Sequence, residues 1–412
     1  MTEIAARPLM RLVRDRRSRI YLGGQIVSIF GDTALFLSAA VWVRELTGSD
    51  GAAASTFLFL AVPALASPFV GVLVDRVRRR PLLMVVNALT GAAVLLLLLV
   101  RDSGDVWLVY AVMTLYGAAS TIIASAQSAL LPAIVPEDLL GDANGLLQTF
   151  QQGARVLSPI VGVGLFTAFG GGVVAVVDAV SFALAVVALL LVRVDEPAPS
   201  ARDRGVSARA DIGAGFARIR LDPALRVVVV ACAWVWVALG LAESVIFAVV
   251  SRGLGLEPSF LAATSSLQGA GALVGGVLSA RLIRRRGELR VAGGASAMLA
   301  AGFLVWMLPD VTAVLIGSFV LGAALPPLVV GCTTLIQRRS PDRLRGRVYS
   351  AFDMALTVPQ TAAIAVGASL VAHVPYRALI VVMCVVLAGA AAALLRAGPR
   401  VDAGPLGPEP TG

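Results

Sequence analysis

Gly71-Val72-Leu73-Val74-Asp75-Arg76-Val77-Arg78-Arg79-Arg80 returns 205 residues later as Gly276-Val277-Leu278-Ser279-Ala280-Arg281-Leu282-Ile283-Arg284-Arg285. Each copy ends an apolar stretch with a basic cluster, the pattern of a membrane span reaching the cytoplasmic face. A second pair keeps the same register: Pro136-Glu137-Asp138-Leu139-Leu140-Gly141 and Pro341-Asp342-Arg343-Leu344-Arg345-Gly346. Two matches at one offset mark an internal duplication.

The rest of the chain is built to suit lipid. It has 412 residues, of which 58% are hydrophobic and only 14% charged, more apolar surface than one soluble globule can hide. Apolar runs of roughly 20 residues, enough to cross a hydrocarbon layer about 30 Å thick, recur near 20–43, 53–74, 82–100, 105–127, 144–168 and 172–193. They recur again near 226–250, 259–281, 290–308, 311–335, 348–372 and 377–396. Their length predicts helices rather than barrel strands. The expected fold is an all-α membrane protein with twelve transmembrane helices in two six-helix pseudo-symmetric bundles. The expected boundaries are 1–193 and 226–397 for the bundles, 194–225 for a cytoplasmic linker and 398–412 for a disordered cytoplasmic tail. Within the linker, 212–220 predicts a short amphipathic helix lying on the membrane surface.

A net charge of +9 would suit a nucleic-acid binder, but position argues otherwise. The chain has no lysine, and 29 of its 34 arginines fall before span 1, within 76–80, 193–226, 281–290 and 338–347, or in the tail. Only Arg44, Arg101, Arg252 and Arg377 fall in the opposite loops, and Arg155 lies inside a span. The positive-inside rule places both termini in the cytoplasm. Span 1 is too long for a secretory leader, and Trp42-Val43-Arg44-Glu45 offers no small-residue cleavage site, so the span is retained. Cys232, Cys332 and Cys384 fall singly in three spans as small apolar residues, implying neither a disulfide nor a metal site. His373, the one histidine, reads as a solvated helix-end residue. Without lysine no Walker phosphate loop can exist, so neither an enzyme nor an ATP-driven pump is expected, and no cofactor.

Ionisable groups inside spans are costly and therefore functional candidates. Span 1 presents Gln25, Ser28 and Asp32 on one face, with Asp32 roughly 18 Å from the inner end at 1.5 Å per residue. Span 5 presents Gln148, Gln151, Gln152 and Arg155 at similar depth, within reach of pairing with Asp32. Adding 205 takes Gln148, Gln152 and Arg155 to Asp353, Thr357 and Gln360, with Asp353 close to a helix end and suited to a gate. Glu243 lies in the outer third of span 7. Asp178, with Ser181, reads as a packing contact of span 6.

Twelve spans, a long central loop and a basic motif after spans 2 and 8 resemble the major facilitator superfamily. Its cytoplasmic signature is matched by Gly71, Leu73, Asp75, Arg76, Arg79 and Arg80, with Arg78 where glycine is usual. The resemblance implies two six-helix halves, each an inverted three-plus-three repeat, and a charge-paired cytoplasmic latch built on Gly71, Asp75, Arg76, Arg79 and Arg80. Leu46-Thr47-Gly48-Ser49, Ala129-Leu130-Leu131-Pro132 and the segment from Gln337 to Arg347 resemble the macrolide-efflux and enterobactin-exporter branch. Ser158, Pro159 and Gly162 are similar to the span 5 motif of drug antiporters. Met113-Thr114-Leu115-Tyr116-Gly117 carries no cation where many proton antiporters have an arginine in span 4. The expectation is a secondary active transporter of the bacterial inner membrane, working as a monomer. It would export a hydrophobic or cationic small molecule in exchange for protons, with Asp32 titrating and Arg155 keeping its charge. A nutrient importer and a non-transporting receptor or scaffold are the alternatives.

Overall fold

In lipid a backbone finds no water to bond, so the N–H and C=O groups of each apolar run must close on one another as helix. The computed structural model describes residues 11–12, 14–66, 70, 74, 77–136, 139–192, 194, 208–340 and 344–402, and all regular structure among them is helical. The first half contains α1 (Arg16–Thr47), α2 (Asp50–Ala61, continued by a 3-10 turn Val62–Ala66), α3 (Arg79–Leu95), α4 (Val106–Ile134), α5 (Leu140–Phe169) and α6 (Gly171–Leu191). After α7 (Ala208–Leu221) come α8 (Pro223–Ala248), α9 (Leu261–Arg286), α10 (Glu288–Val305), α11 (Val311–Arg339), α12 (Arg345–Leu370) and α13 (Tyr376–Asp402).

Starts and stops are written locally. Asp15, Ser49, Asp222 and Asp310 each accept a backbone N–H of the first turn of the helix that follows, satisfying donors that have no partner within the helix. Gly170, at φ 80°, is the one residue between α5 and α6, and Gly287, also at φ 80°, is the one residue between α9 and α10. A side chain would resist that left-handed backbone.

Ten helices among the described residues are long and apolar enough to cross a membrane. Two shorter apolar segments, Asp50–Ala66 and Pro159–Phe169, overlap the predicted spans 53–74 and 144–168. Large apolar side chains such as Leu89, Leu99, Val277 and Val385 face outward, as a lipid-facing surface requires.

The chain divides into two compact units, Met1–Gly205 and Val206–Gly412. In the first, α1 packs on α5 and α6, α3 on α4 and α6, and α2 on α4. In the second, α8 packs on α12 and α13, α10 on α11 and α13, and α9 on α11, which is the same set of pairs. Helices α11, α12 and α13 each begin 205 residues after α4, α5 and α6, the offset of the sequence repeats. Within one unit the pairing survives exchanging α1 with α4, α2 with α5 and α3 with α6, so each half is itself an inverted repeat.

Three features differ from the sequence expectation. Helix α7, expected to lay its apolar face on the membrane surface, packs that face on α12 and α8, burying Ile219 in the core of the second unit with Phe216 against it. Arg218 explains the attachment, since it bridges to Asp222 at 3.5 Å and donates to the carbonyl of Arg339 at 3.2 Å. Cys232 and Cys332 are not isolated from each other; their thiols lie 3.0 Å apart between α8 and α11, both buried and free. Finally α13 runs on to Asp402, and the predicted tail beyond it lies outside the described residues.

Candidate functional site

The site grows from α1, whose small and polar residues recur two turns apart as Gly24-Gln25 and Gly31-Asp32. Residues seven apart share a helix face, so the glycines form one row and the polar side chains the next. The glycine row meets α6. A Cβ on Gly31 would sit 2.5 Å from Ser181 Oγ and 2.7 Å from Asp178 Oδ1, and one on Gly24 would sit 2.6 Å from the Ala188 methyl. The polar row meets α4: the amide of Gln127 donates to Gln25 Oε1, and the Tyr116 hydroxyl donates to Asp32 Oδ1 at 2.5 Å. Asp32 stands at the middle of its 32-residue helix, half-buried.

Three titratable groups from three helices therefore come together at mid-helix. Asp178, 1% exposed, interacts electrostatically with Asp32 and with Tyr116. Its Oδ1 accepts from Ser181 Oγ at 3.5 Å, and among the described residues its Oδ2 has no hydrogen-bond partner. Phe182, one residue beyond Ser181, meets the Tyr116 ring edge-on at 5.7 Å between centroids, which fixes the phenol that holds Asp32. The third face of α1 meets α5: a Cβ on Gly162 would sit 2.5 Å from the carbonyl oxygen of Ala34 and 2.8 Å from its Cα. Such an arrangement can hold a cation or a proton at Asp32 and report its presence to three helices through short polar contacts.

The remaining expected residues are distributed as follows. The side chains of Gln148, Gln152, Arg155 and Ser158 on α5 lie outside the described residues, as do Gly71, Asp75 and Arg76; the partner that the structure describes for Asp32 is Tyr116. Pro159 is buried within α5. Arg79 opens α3. Arg80 donates from Nε to the carbonyl of Leu189 at 2.9 Å and from Nη2 to that of Leu190 at 3.3 Å. It thus caps the C-terminus of α6, where backbone carbonyls lack helical partners and favour a cation. Glu243 is half-buried on α8 beside Ser244, whose hydroxyl donates to the carbonyl of Ile364 at 3.5 Å. Asp353 is exposed, and Thr357 and Gln360 are half-buried on α12. The Gln360 carbonyl oxygen lies against Gly240, where a Cβ would come within 2.5 Å.

Two duplicated helical bundles, an apolar exterior and a polar cluster at mid-helix define a multi-pass membrane transporter. Residues 21–359 and 244–411 match the profile of the Major Facilitator Superfamily, and the chain belongs to that family. Macrolide efflux protein A of Streptococcus pyogenes is 26% identical over 174 residues, which span 42% of this chain and 43% of that protein. This stretch is less than half of the relative's length. An uncharacterized MFS-type transporter of Mycobacterium tuberculosis is 27% identical over 384 residues, covering 84% of this chain and 83% of that one. Among solved structures, a bacterial homologue of the iron transporter ferroportin in its inward-facing state superposes with a TM-score of 0.71 at 18% identity. That match covers 92% of this chain and 98% of the homologue, a likeness of fold.

Proposed function

We propose that the chain is a proton-coupled exporter of a hydrophobic or cationic small molecule, set in the bacterial inner membrane with both termini in the cytoplasm. The observation that carries this reading is Asp32, a half-buried carboxylate at the centre of α1 held by the Tyr116 hydroxyl. A carboxylate inside a span is costly unless paired, protonated or hydrated, so its presence there marks a functional candidate. A proton and a substrate cation compete for it, and that competition is the least chemistry that exchange of one for the other needs. The likeness to a macrolide efflux protein favours the outward direction and a bulky amphiphile. Exchange of one proton for a monocation moves no net charge and is driven by the pH difference, about 1.4 kcal/mol per unit, whereas export of a neutral molecule also draws about 2.3 kcal/mol per proton from a 100 mV potential; neither requires a nucleotide. Arg80 and the neighbouring basic cluster serve topology and helix capping, and with Asp75 they form the cytoplasmic latch that the family resemblance implies.

The test is accumulation of a radiolabelled macrolide in everted vesicles carrying the overproduced protein. Proton-driven uptake should stop on addition of an uncoupler and should be lost in Asp32→Asn with the protein still in the membrane. Undiminished uphill transport by Asp32→Asn refutes the role of Asp32. Flux in the opposite sense would make the protein an importer, and no flux of any probe would favour a receptor or scaffold.

A further inference from the structure

Asp178 is one carboxylate more than a single-site exchanger needs. It lies in the middle of the first unit, 1% exposed, against the glycine row of α1. A buried ionised carboxylate requires strong hydrogen bonds or a cation. Here Oδ1 has one long contact with Ser181, Oδ2 has none among the described residues, and the neighbouring charge, that of Asp32, has the same sign. Among the described residues, the titratable groups facing Asp178 are Asp32 from α1 and Tyr116 from α4. Helix α3, also packed on α6, buries the neutral polar side chains Asn87 and Thr90, each bonded to its own backbone, while its Arg80 reaches the carbonyls of Leu189 and Leu190 at the C-terminus of α6. On α5, the side chain of Arg155 is outside the described residues.

We propose that Asp178 and Asp32 form one proton-binding unit in which Asp178 keeps a proton throughout the cycle while Asp32 exchanges a second proton for a monovalent cation. Two like charges in one apolar site cannot both stand uncompensated. The resting pair therefore holds one proton, on the buried member, and carries a single negative charge. Loading adds either a second proton on Asp32, taken from water, or one monovalent cation beside Asp32; both leave the carboxyl pair without net charge. When the cation binds, the Asp32 proton returns to water and the O–H bond of Asp178 stays intact. The substrate class is accordingly a lipophilic monocation exchanged one for one with a proton. This rests on the reading of Asp32 given above and adds to it the second carboxyl and the charge of the cargo.

The experiment is infrared spectroscopy of the purified full-length protein in lipid, following the C=O stretch of protonated carboxyl groups at neutral pH. Wild type should show a band that vanishes in Asp178→Asn and persists when tetraphenylphosphonium is added. Asp32→Asn should keep the band but change its proton affinity at least about tenfold, since a like charge has been removed. Should Asp178→Asn fail to fold, Ser181→Ala retains both carboxyls and must shift the band frequency by withdrawing the hydroxyl from Asp178. No Asp178-dependent band at neutral pH, or a band indifferent to Asp32→Asn, overturns the proposal. Loss of the wild-type band on adding Mn2+ also overturns it, because both carboxylates would then be ligands of a divalent cation. A band behaving as expected in protein that moves no cation in vesicles would instead refute the export reading and leave the pair standing.

Discussion

Replacing Gly162 by alanine tests the packing on which the site depends. The new Cβ would lie 2.5 Å from the Ala34 carbonyl oxygen, 2.8 Å from its Cα and 3.0 Å from its carbonyl carbon. An ordinary carbon–oxygen approach is about 3.3 Å or more, so α1 and α5 must part locally by roughly 0.8 Å. The obstacle is backbone on both sides and no rotamer change relieves it. Overpacking of this kind costs about 1–3 kcal/mol, and against it stands a gain of about 1 kcal/mol from replacing a helical glycine by alanine. Gly164 supplies the control: it is on the same helix, two residues on, with nothing within 4 Å of an added Cβ, so Gly164→Ala takes the gain without the clash. The gain cancels between them, so the two variants should differ by about 1–3 kcal/mol, or roughly 2–12 °C in melting temperature at about 2–4 °C per kcal/mol. Scanning fluorimetry of the purified proteins at one heating rate measures the difference. Gly162→Ala melting at or above Gly164→Ala would refute the close approach of α1 and α5.

Tyr116→Phe keeps the ring against Phe182 and removes the hydrogen bond to Asp32. A bond to a charged group is worth about 1.5–3 kcal/mol, so the variant should melt about 3–12 °C lower at about 2–4 °C per kcal/mol and proton-driven flux should fall tenfold or more; unaltered flux would show that Asp32 does not need the phenol. Gly31→Ala pushes a methyl into Ser181 and Asp178 and should change the carboxyl infrared band more than Gly164→Ala does. Arg80→Ala uncovers the carbonyls of Leu189 and Leu190 and should speed hydrogen exchange in the last turn of α6, with no effect expected at the first turn of that helix. At the N-terminal end of α1, outside the span, the hydrogen bond from the Ser18 hydroxyl, with backbone donors, holds Asp15 below the usual aspartate range. Its capping contribution, about 1 kcal/mol, is therefore full above the unfolded value of about 3.9 and is lost as pH falls through the lower folded value. Asp15→Ala should destabilise at neutral pH, and the difference from wild type should shrink in strong acid.

The fold was legible because lipid imposes a coarse rule: apolar length sets a span, and the 205-residue offset sets the duplication. Those signals survive without knowledge of any contact. The site was legible only in part. Asp32 and Gln25 stand out because polar atoms on an apolar helix are conspicuous, yet their partners Tyr116 and Gln127 are ordinary residues on a span 84 and 102 positions away. In the segment Met113 to Gly117 the absence of a cation drew notice, whereas the residue there that reaches Asp32 is the tyrosine. Asp178 and Ser181 read as a packing contact of span 6 and do pack, against Gly31 of α1; the signal for which helix they meet is the glycine row Gly24 and Gly31, which marks where another helix must come close. Helix α7 read as lipid-bound because amphipathicity alone does not say whether an apolar face meets lipid or protein.

The two units share one pairing scheme but not one chemistry. At the 205-residue offset, Tyr116 corresponds to Leu321 and Asp178 to Met383, both buried and apolar. Gene duplication thus left a scaffold that folds with or without the polar cluster, and only one copy uses it. A saturation-mutagenesis map should record that history: position 383 accepting leucine or isoleucine freely, position 178 rejecting them under selection for export, on helices that otherwise tolerate substitution alike.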